Sequence, residues 1–199
     1  QVIDHIKRSH SDQVVYVGIG IDEENAFAKA LSLNGVKKSL FAKPTNEKQV
    51  RTLLKKVKGE DYLLIGVHGM TDYPGKNFGI DQYELQLINA LKAERKTLTI
   101  IFGNPYAAKN FCGDDGLLVA YDDADETQQA VANILTGQLK AKGRLPVSVC
   151  ERYHSGDGIV PLTTNLGEVI DSGRFVKQNK EINSGRLVMK SVPEMQGQE

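Results

Sequence analysis

The sequence predicts a three-layer α/β/α sandwich built on a mostly parallel sheet of five or six strands. Runs of consecutive apolar residues alternate with helix-like segments as far as Gly143. These runs lack the polar alternation of a half-exposed strand, so both of their faces are predicted to be covered, as in parallel sheets. Each strand with its helix takes about 20–35 residues, and right-handed crossovers place the helices on both faces of the sheet.

The predicted strands are short segments rich in β-branched and other apolar residues. In chain order they are VVYVGIG from Val14, KKSLFA from Lys37, DYLLIGVHG from Asp61, KTLTIIF from Lys96 and GLLVAY from Gly116. A sharp turn and a short helix, NPYAAKNF, follow the fourth strand, because Pro105 fixes φ at the start of a helix. This order of elements describes a chain of strand–helix units.

The predicted helices have apolar residues at three- and four-residue spacing. They lie in the segments DEENAFAKALSLNG, NEKQVRTLLKKVKG, IDQYELQLINALKAE and DADETQQAVANILTGQLK. Asp22 and Asp81 are the predicted N-caps of the first and third helices, and Gly35 stands where the first helix is expected to end. The carboxylates of YDDADE are expected at the N-terminus of the last helix, which the helix dipole favours.

The periodicity ends at Gly143. The segment RLPVSV is a possible sixth strand, which Pro146 would confine to an edge of the sheet because proline has no N–H to donate. His154 and Asp157 in the following YHSGDG could pair, although no nucleophile is nearby in the sequence. Residues 1–159 are therefore predicted to form the sandwich domain, and residues 160–199 an irregular C-terminal arm or linker.

Composition argues against two kinds of partner. The 25 Lys and Arg residues balance the 25 Asp and Glu residues, whereas binding to a nucleic-acid backbone requires a clustered cationic excess. No apolar run reaches the roughly 18 residues of a membrane span. The chain opens on Gln1 without a signal-like pattern, so we expect a processed or excised fragment whose targeting signal lies elsewhere.

The two cysteines, Cys112 and Cys150, are expected to be free thiols, although a bridge between them is not excluded by the sequence. Neither has the surroundings of a reactive thiol, since two carboxylates follow Cys112 and would raise the pKa of its side chain. The spacing of Cys and His residues does not indicate zinc. No metal and no cofactor are predicted.

Candidate functional residues lie in loops that follow predicted strands, where α/β sheets bind ligands. The long loop GVHGMTDYPGKNFGID carries His68, Asp72 and Tyr73, and the turn FGNPY carries Asn104. His68 and Asp72 could form an acid/base pair or part of a metal site, or His68 could simply hydrogen-bond within its loop. The first strand ends in GIGIDEE, which fails the dinucleotide pattern because Glu23 occupies the third glycine position.

Several stretches taken together resemble a known family. FGNPY, GLLVAYDDADETQQAVANILTGQL, GRLPVSV and GDGI, in this order, resemble the second domain of glycoside hydrolase family 3, in its β-N-acetylhexosaminidase branch. The resemblance extends from Val14 to Ile159. The tail GRLVMKSVPEMQGQE is similar to the connector that leads, in some bacterial members, to a serine β-lactamase-like domain.

The resemblance implies an accessory role. In such enzymes an N-terminal (β/α)8 barrel carries the nucleophilic Asp and, in this branch, a His–Asp acid/base pair, and the sandwich packs against it. No catalytic residue of this chain is therefore implied. His68, Asp72, Tyr73 and Asn104 are the expected loop residues near the parent's carbohydrate substrate. The implied location is periplasmic or secreted.

Two alternatives remain open from the sequence. The chain could be a self-contained, flavodoxin-like domain or enzyme that binds a small molecule at an edge formed by His68, Asn104 and Tyr121. It could also be a scaffold that binds a protein partner and no small ligand.

Overall fold

The structure is a computed structural model that describes residues 6, 11–114 and 116–158, together with the backbone of residues 162–163 and 169–170. Five parallel strands form one sheet in the order β2-β1-β3-β4-β5. They are β1 Val14–Ile19, β2 Lys38–Ala42, β3 Tyr62–Val67, β4 Lys96–Ile101 and β5 Leu117–Val119. The predicted fold class is confirmed.

Four α-helices cover the two faces of this sheet. They are α1 Ala26–Leu33, α2 Glu47–Lys56, α3 Gln82–Ala93 and α4 Asp125–Thr136. Shorter 3₁₀ turns lie at Ser11–Gln13, Pro74–Gly79 and Pro105–Phe111. Helices α1 and α4 pack together, as do α2 and α3, which gives the three layers.

Alternate residues of each strand enter two separate hydrophobic cores. Val15 and Val17 of β1 lie in the core under α2 and α3, whereas Val14 and Tyr16 lie in the core under α1 and α4. Successive side chains of a strand point to opposite faces, so an uninterrupted apolar run supplies both cores. The continuous apolar strands of the sequence are explained by this double burial.

The helix ends follow the sequence with one exception. Asp81 caps α3 by accepting from the Tyr83 N–H (2.7 Å), while the Glu84 carboxylate accepts from the Asp81 N–H (3.0 Å). At α1 the cap is Asn25, whose side chain accepts from the Ala28 N–H (3.0 Å), and not the predicted Asp22. Asp22 lies three positions before Asn25, so it stands too far before the first helical turn to reach its N–H groups.

The segment RLPVSV is not a strand, which corrects the prediction of a sixth one. Its backbone bonds close within residues 143–158: the Leu145 N–H donates to Asp157 O (2.7 Å), and the Val149 N–H donates to Tyr153 O (3.0 Å). Leu145 and Tyr153 are buried against the core. Proline at 146 and these internal bonds leave no ladder for β5 to join.

Cys112 and Cys150 form a disulfide, with 6.6 Å between their Cα atoms, which corrects the expectation of free thiols. The bridge joins the end of the 3₁₀ turn after β4 to the segment 143–158. In the same segment the expected His154–Asp157 contact is mainly a backbone one, since the His154 N–H donates to the Asp157 carboxylate (2.7 Å). The fold of this segment thus depends on contacts that span long stretches of sequence.

Residues 162–163 and 169–170 pair as a two-stranded antiparallel ladder, β6 Leu162–Thr163 and β7 Val169–Ile170. The rest of the predicted arm or linker, including the connector-like tail, lies outside the described residues, so that expectation stays a prediction. No helix among the described residues is both long and apolar enough to cross a membrane.

Candidate functional site

The carboxyl ends of the parallel strands meet at one edge of the sheet, the usual place for a ligand in an open α/β fold. His68 directly follows β3, and residues 121–123 follow β5. Strand β4 lies between these two strands. The topology therefore brings His68 and Asp123 together although 55 residues separate them in the chain.

His68 is buried, with 3% of its surface exposed, and both of its ring nitrogens are hydrogen-bonded. Nδ1 lies 2.7 Å from Asp123 Oδ1, and Nε2 lies 2.7 Å from the Tyr16 hydroxyl. The ring stacks on Phe102, with 4.4 Å between the ring centres. The Asn25 amide nitrogen lies almost equally far from the two ring nitrogens, 3.4 and 3.3 Å.

These partners fix one of the two ring positions. A carboxylate only accepts, so Nδ1 of His68 donates to Asp123, and in the neutral imidazole Nε2 accepts from the Tyr16 hydroxyl. Burial raises the pKa of the Tyr16 phenol well above its ordinary value, and the charge of Asp123 raises it further. The hydroxyl therefore stays protonated and remains a donor to His68.

Asp123 is held by two further groups. Its Oδ2 accepts from the Gly69 N–H (2.9 Å), and its Oδ1 accepts from the Gln128 side-chain amide (2.9 Å). The Gln128 carbonyl oxygen in turn accepts from the Phe27 N–H (2.9 Å). We call Tyr16, His68, Asp123 and Gln128 the His68 network. It joins the centre of the sheet to the first turns of α1 and α4.

The His68 network does not present the imidazole nitrogens to solvent. A general base must reach the proton that it removes within about 3 Å, but the His68 side chain is 0% exposed and both nitrogens are occupied. Tyr16 is fully buried, and Asp123 keeps 31% of its side chain exposed. The arrangement is suited to holding strand ends and helices together, and not to proton transfer with a ligand.

The other three predicted loop residues form a separate, exposed surface. Asn104 donates its side-chain amide to Asp72 Oδ1 (3.4 Å), so Asp72 pairs with Asn104 and not with His68. Tyr73 is 64% exposed, and its ring lies so close to Gly75 that a Cβ there would be 2.8 Å from it. We call Asp72, Tyr73, Asn104 and the neighbouring, half-exposed Tyr106 the edge surface.

Tyr121 lies at the same edge but serves the segment 143–158. Its backbone is in the left-handed region, with φ of 69°, a conformation that costs free energy for a tyrosine. Its hydroxyl donates to the carbonyl oxygen of Arg144 (2.9 Å). This contact leaves the Tyr121 hydroxyl engaged.

The sequence interpretation missed Tyr16, Asn25, Asp123 and Gln128 as partners of His68. One signal could have found Asp123: it lies in the segment that follows β5, as His68 directly follows β3, and both strand ends meet at one edge of a parallel sheet. Its segment, YDDADE, also has the pattern of a helix start, which is the role predicted for it. Within the described residues, no group of three or more His, Cys, Asp or Glu side chains could hold a metal ion.

No protein-family model and no curated protein matches the chain. Solved structures do share its fold. The fungal multi-domain family 3 β-N-acetylglucosaminidase that contains a GCN5-related glucosamine N-acetyltransferase region matches with a TM-score of 0.54 and 19% identity, over 69% of this chain and 16% of that one.

A family 3 β-N-acetylglucosaminidase from Paenibacillus sp. str. FPU-7 matches with a TM-score of 0.53 and 17% identity, over 68% of this chain and 27% of that one. The chain thus spans 16% and 27% of the lengths of these enzymes. At this identity the likeness is one of fold. It agrees with the resemblance found in the sequence: the chain has the fold of a region of these larger enzymes.

Proposed function

We propose that the chain is an accessory α/β sandwich domain of a family 3 glycoside hydrolase, with the bond-breaking groups on a separate N-terminal (β/α)8 barrel domain. The observation that carries the proposal is the closure of the His68 network, which leaves the predicted acid/base residue His68 without access to a substrate and without Asp72 as its partner. The fold likeness to two family 3 enzymes supports the identity of the parent.

The edge surface is the side that we expect to face the barrel and its carbohydrate substrate. Tyr73 and Tyr106 expose aromatic rings, 64% and 52% of their surfaces, and Asp72 and Asn104 supply polar groups next to them. Exposed aromatic side chains with polar neighbours are typical of contact surfaces. The role of these residues is therefore contact with the neighbouring domain or with the sugar, and not catalysis.

The parent's substrate is proposed to be a terminal N-acetyl-β-hexosaminide. This assignment follows the sequence resemblance, and both similar structures are β-N-acetylglucosaminidases. A retaining hydrolase places two carboxyl groups about 5–5.5 Å apart around the scissile bond, and in this proposal the barrel provides the reacting groups. A β-lactamase-like domain after the tail is a further proposed partner.

A periplasmic or secreted location is part of the proposal. The disulfide between Cys112 and Cys150 supports it, because such bridges persist in oxidising compartments and are rare in the cytosol.

No observation on the described residues favours the flavodoxin-like alternative. It needed His68, Asn104 and Tyr121 on one accessible edge, but His68 is buried and the Tyr121 hydroxyl is bonded to Arg144.

The test compares the 199-residue chain with a longer protein in which it is joined to a family 3 barrel. We expect 4-nitrophenyl N-acetyl-β-glucosaminide to be hydrolysed by the longer protein and not by the chain alone, whose folding is checked by its thermal transition. Turnover by the isolated chain that is lost in His68→Gln, with the thermal transition preserved, would overturn the proposal. A joined protein in which Tyr73→Ser and Asn104→Ala change neither kcat nor KM would remove the role of the edge surface.

A further inference from the structure

The lysines of this neutral chain are concentrated in one strand–helix unit. Residues 37–58 hold eight basic residues and one acidic residue, a local net charge of +7. All eight basic side chains are exposed. They are Lys37, Lys38, Lys43, Lys48, Arg51, Lys55, Lys56 and Lys58, and the acidic residue is Glu47. An overall balance of charge thus conceals a strongly cationic surface on β2 and α2.

Strand β2 is the edge of the sheet, and grooves lie between it and α2. The first groove has a volume of about 480 Å³ and is lined by Lys43, Lys48 and Lys56, with Leu53 on its apolar side. The second, of about 390 Å³, is lined by Lys37, Lys38, Glu60 and again Lys56. Because they share Lys56, the two grooves form one trough along the edge strand, which we call the lysine trough.

The spacing of the helix residues suits an extended ligand. Lys48, Thr52 and Lys56 are four residues apart and therefore lie along one face of α2. Eight residues of helix correspond to about 12 Å between the two lysines. Gln49 and Thr52 add polar side chains to the same groove. A flexible chain with negative charges at regular intervals could contact several lysines at once.

Most of these charges are not neutralised by the protein. Among the described residues, Glu60 pairs with Lys38 (2.8 Å) and Glu47 pairs with Arg51 (3.3 Å). No other carboxylate of the described part of the chain lies within ion-pair distance of the remaining six basic side chains of residues 37–58. Lys43 interacts electrostatically with the Glu84 carboxylate at longer range, and the other lysines of the trough except Lys38 are available to an external anion.

Protection of the sheet edge explains only part of the pattern. Lysines on an edge strand discourage pairing with another sheet, which accounts for Lys38. Lys48 and Lys56 belong to a helix and line a groove, where they cannot block strand pairing. A binding role accounts for both sets.

We propose that the lysine trough binds an extended anionic polysaccharide. The anionic groups would pair with Lys43, Lys48 and Lys56, and Leu53 would give a sugar ring an apolar contact. A glycan is favoured over a nucleic acid because the disulfide indicates an oxidising compartment. The inference rests on the proposed function of the chain as a glycosidase domain. Through this trough the parent glycosidase would be held on the polymer that carries its substrate.

Binding to polygalacturonate, a carboxylate-bearing polysaccharide, tests the proposal, with neutral dextran and a single-stranded DNA oligomer as the comparison ligands. The trough variant is Lys43→Gln/Lys48→Gln/Lys56→Gln. The control variant, Lys29→Gln/Lys76→Gln/Lys142→Gln, removes the same charge from exposed lysines outside the trough. Titration calorimetry at several salt concentrations gives the affinity and its salt dependence.

We expect the wild type and the control variant to bind polygalacturonate, with affinity falling as salt rises, and not to bind dextran. The trough variant should lose about tenfold in affinity or more, since each contact contributes about 0.5 kcal/mol, and its salt dependence should flatten. Equal weakening of the two variants, absence of binding to polygalacturonate, or tighter binding of the DNA oligomer would each overturn the proposal. Because hydrolysis is not measured, these outcomes do not depend on the activity of the parent enzyme.

Discussion

His68 and Tyr73 lie five residues apart in one loop, yet 3% of His68 and 64% of Tyr73 are exposed. Both ring nitrogens of His68 have hydrogen-bond partners inside the protein. The Tyr73 ring is exposed and follows Asp72, which pairs with Asn104. The contrast teaches that the buried imidazole of this loop serves the fold, whereas Asp72 and Tyr73 remain at the surface.

The largest expected effect concerns the segment 143–158, which closes the domain beside both regions. Cys112→Ala/Cys150→Ala removes a bridge between residues 38 apart, and the chain-entropy account of disulfides assigns such a loop about 4 kcal/mol. We expect a loss of that size in urea denaturation. Titration of the native wild type should find no free thiol and, after reduction, two. Two reactive thiols in the untreated protein would contradict the bridge.

His68→Ala tests the contribution of the buried residue to stability. It removes a ring stacked on Phe102 and leaves the Tyr16 hydroxyl without its acceptor, so we expect the free energy of unfolding to fall by about 3 kcal/mol. The matched control is His154→Ala, since the His154 side chain is 52% exposed, and it should cost about 0.5 kcal/mol or less. Similar losses in the two variants would show that His68 is not the buried anchor described.

Tyr16→Phe tests the same buried network by removing one oxygen atom, the Tyr16 hydroxyl. The variant keeps the ring in the core but removes the hydroxyl that donates to His68 Nε2, so a buried acceptor loses its partner at a cost of about 1–2 kcal/mol. Tyr106→Phe is the control, because Tyr106 is 52% exposed. Chemical denaturation of both variants measures the difference, and a neutral Tyr16→Phe would refute a stabilising hydrogen bond between Tyr16 and His68.

The smallest effect on stability is expected at the exposed residue Tyr73. Tyr73→Ser should change the free energy of unfolding by about 0.5 kcal/mol or less, because most of the ring is exposed. The effect of Tyr73→Ser should instead appear in the interaction with the proposed barrel domain. A loss of stability as large as that of His68→Ala would mean that Tyr73 belongs to the fold and not to a contact surface.

The helices and strands were largely predictable because their signals are local. Apolar runs and helical spacing located β1–β5 and α1–α4, and Asp81 was correctly identified as a cap. The errors lie where competing local signals were close together, as at Asp22 and Asn25, or where an apolar run used its backbone bonds internally, as in RLPVSV. Local chemistry alone could not rank these choices.

The candidate site was predicted only as a set of loops. The position of His68 at a strand end followed from the alternation of elements, and so did its proximity to Asn104 at the same edge. Its partnership with Asp123 depends on the strand order β3-β4-β5, and its burial depends on Phe102 and Tyr16. The lysines of residues 37–58 are close together in the sequence, but the balanced total charge of the chain does not reveal this local excess.

The sequence by itself determined the α/β class, the alternation of elements and the edge where candidate residues would collect, since these depend on hydrophobic spacing and turn chemistry within short segments. Only the tertiary structure decided that Cys112 meets Cys150, that His68 pairs with Asp123 and not with Asp72, and that the lysines line one trough. Such contacts join residues tens of positions apart, and sheet order and helix packing, which no local pattern encodes, bring them together.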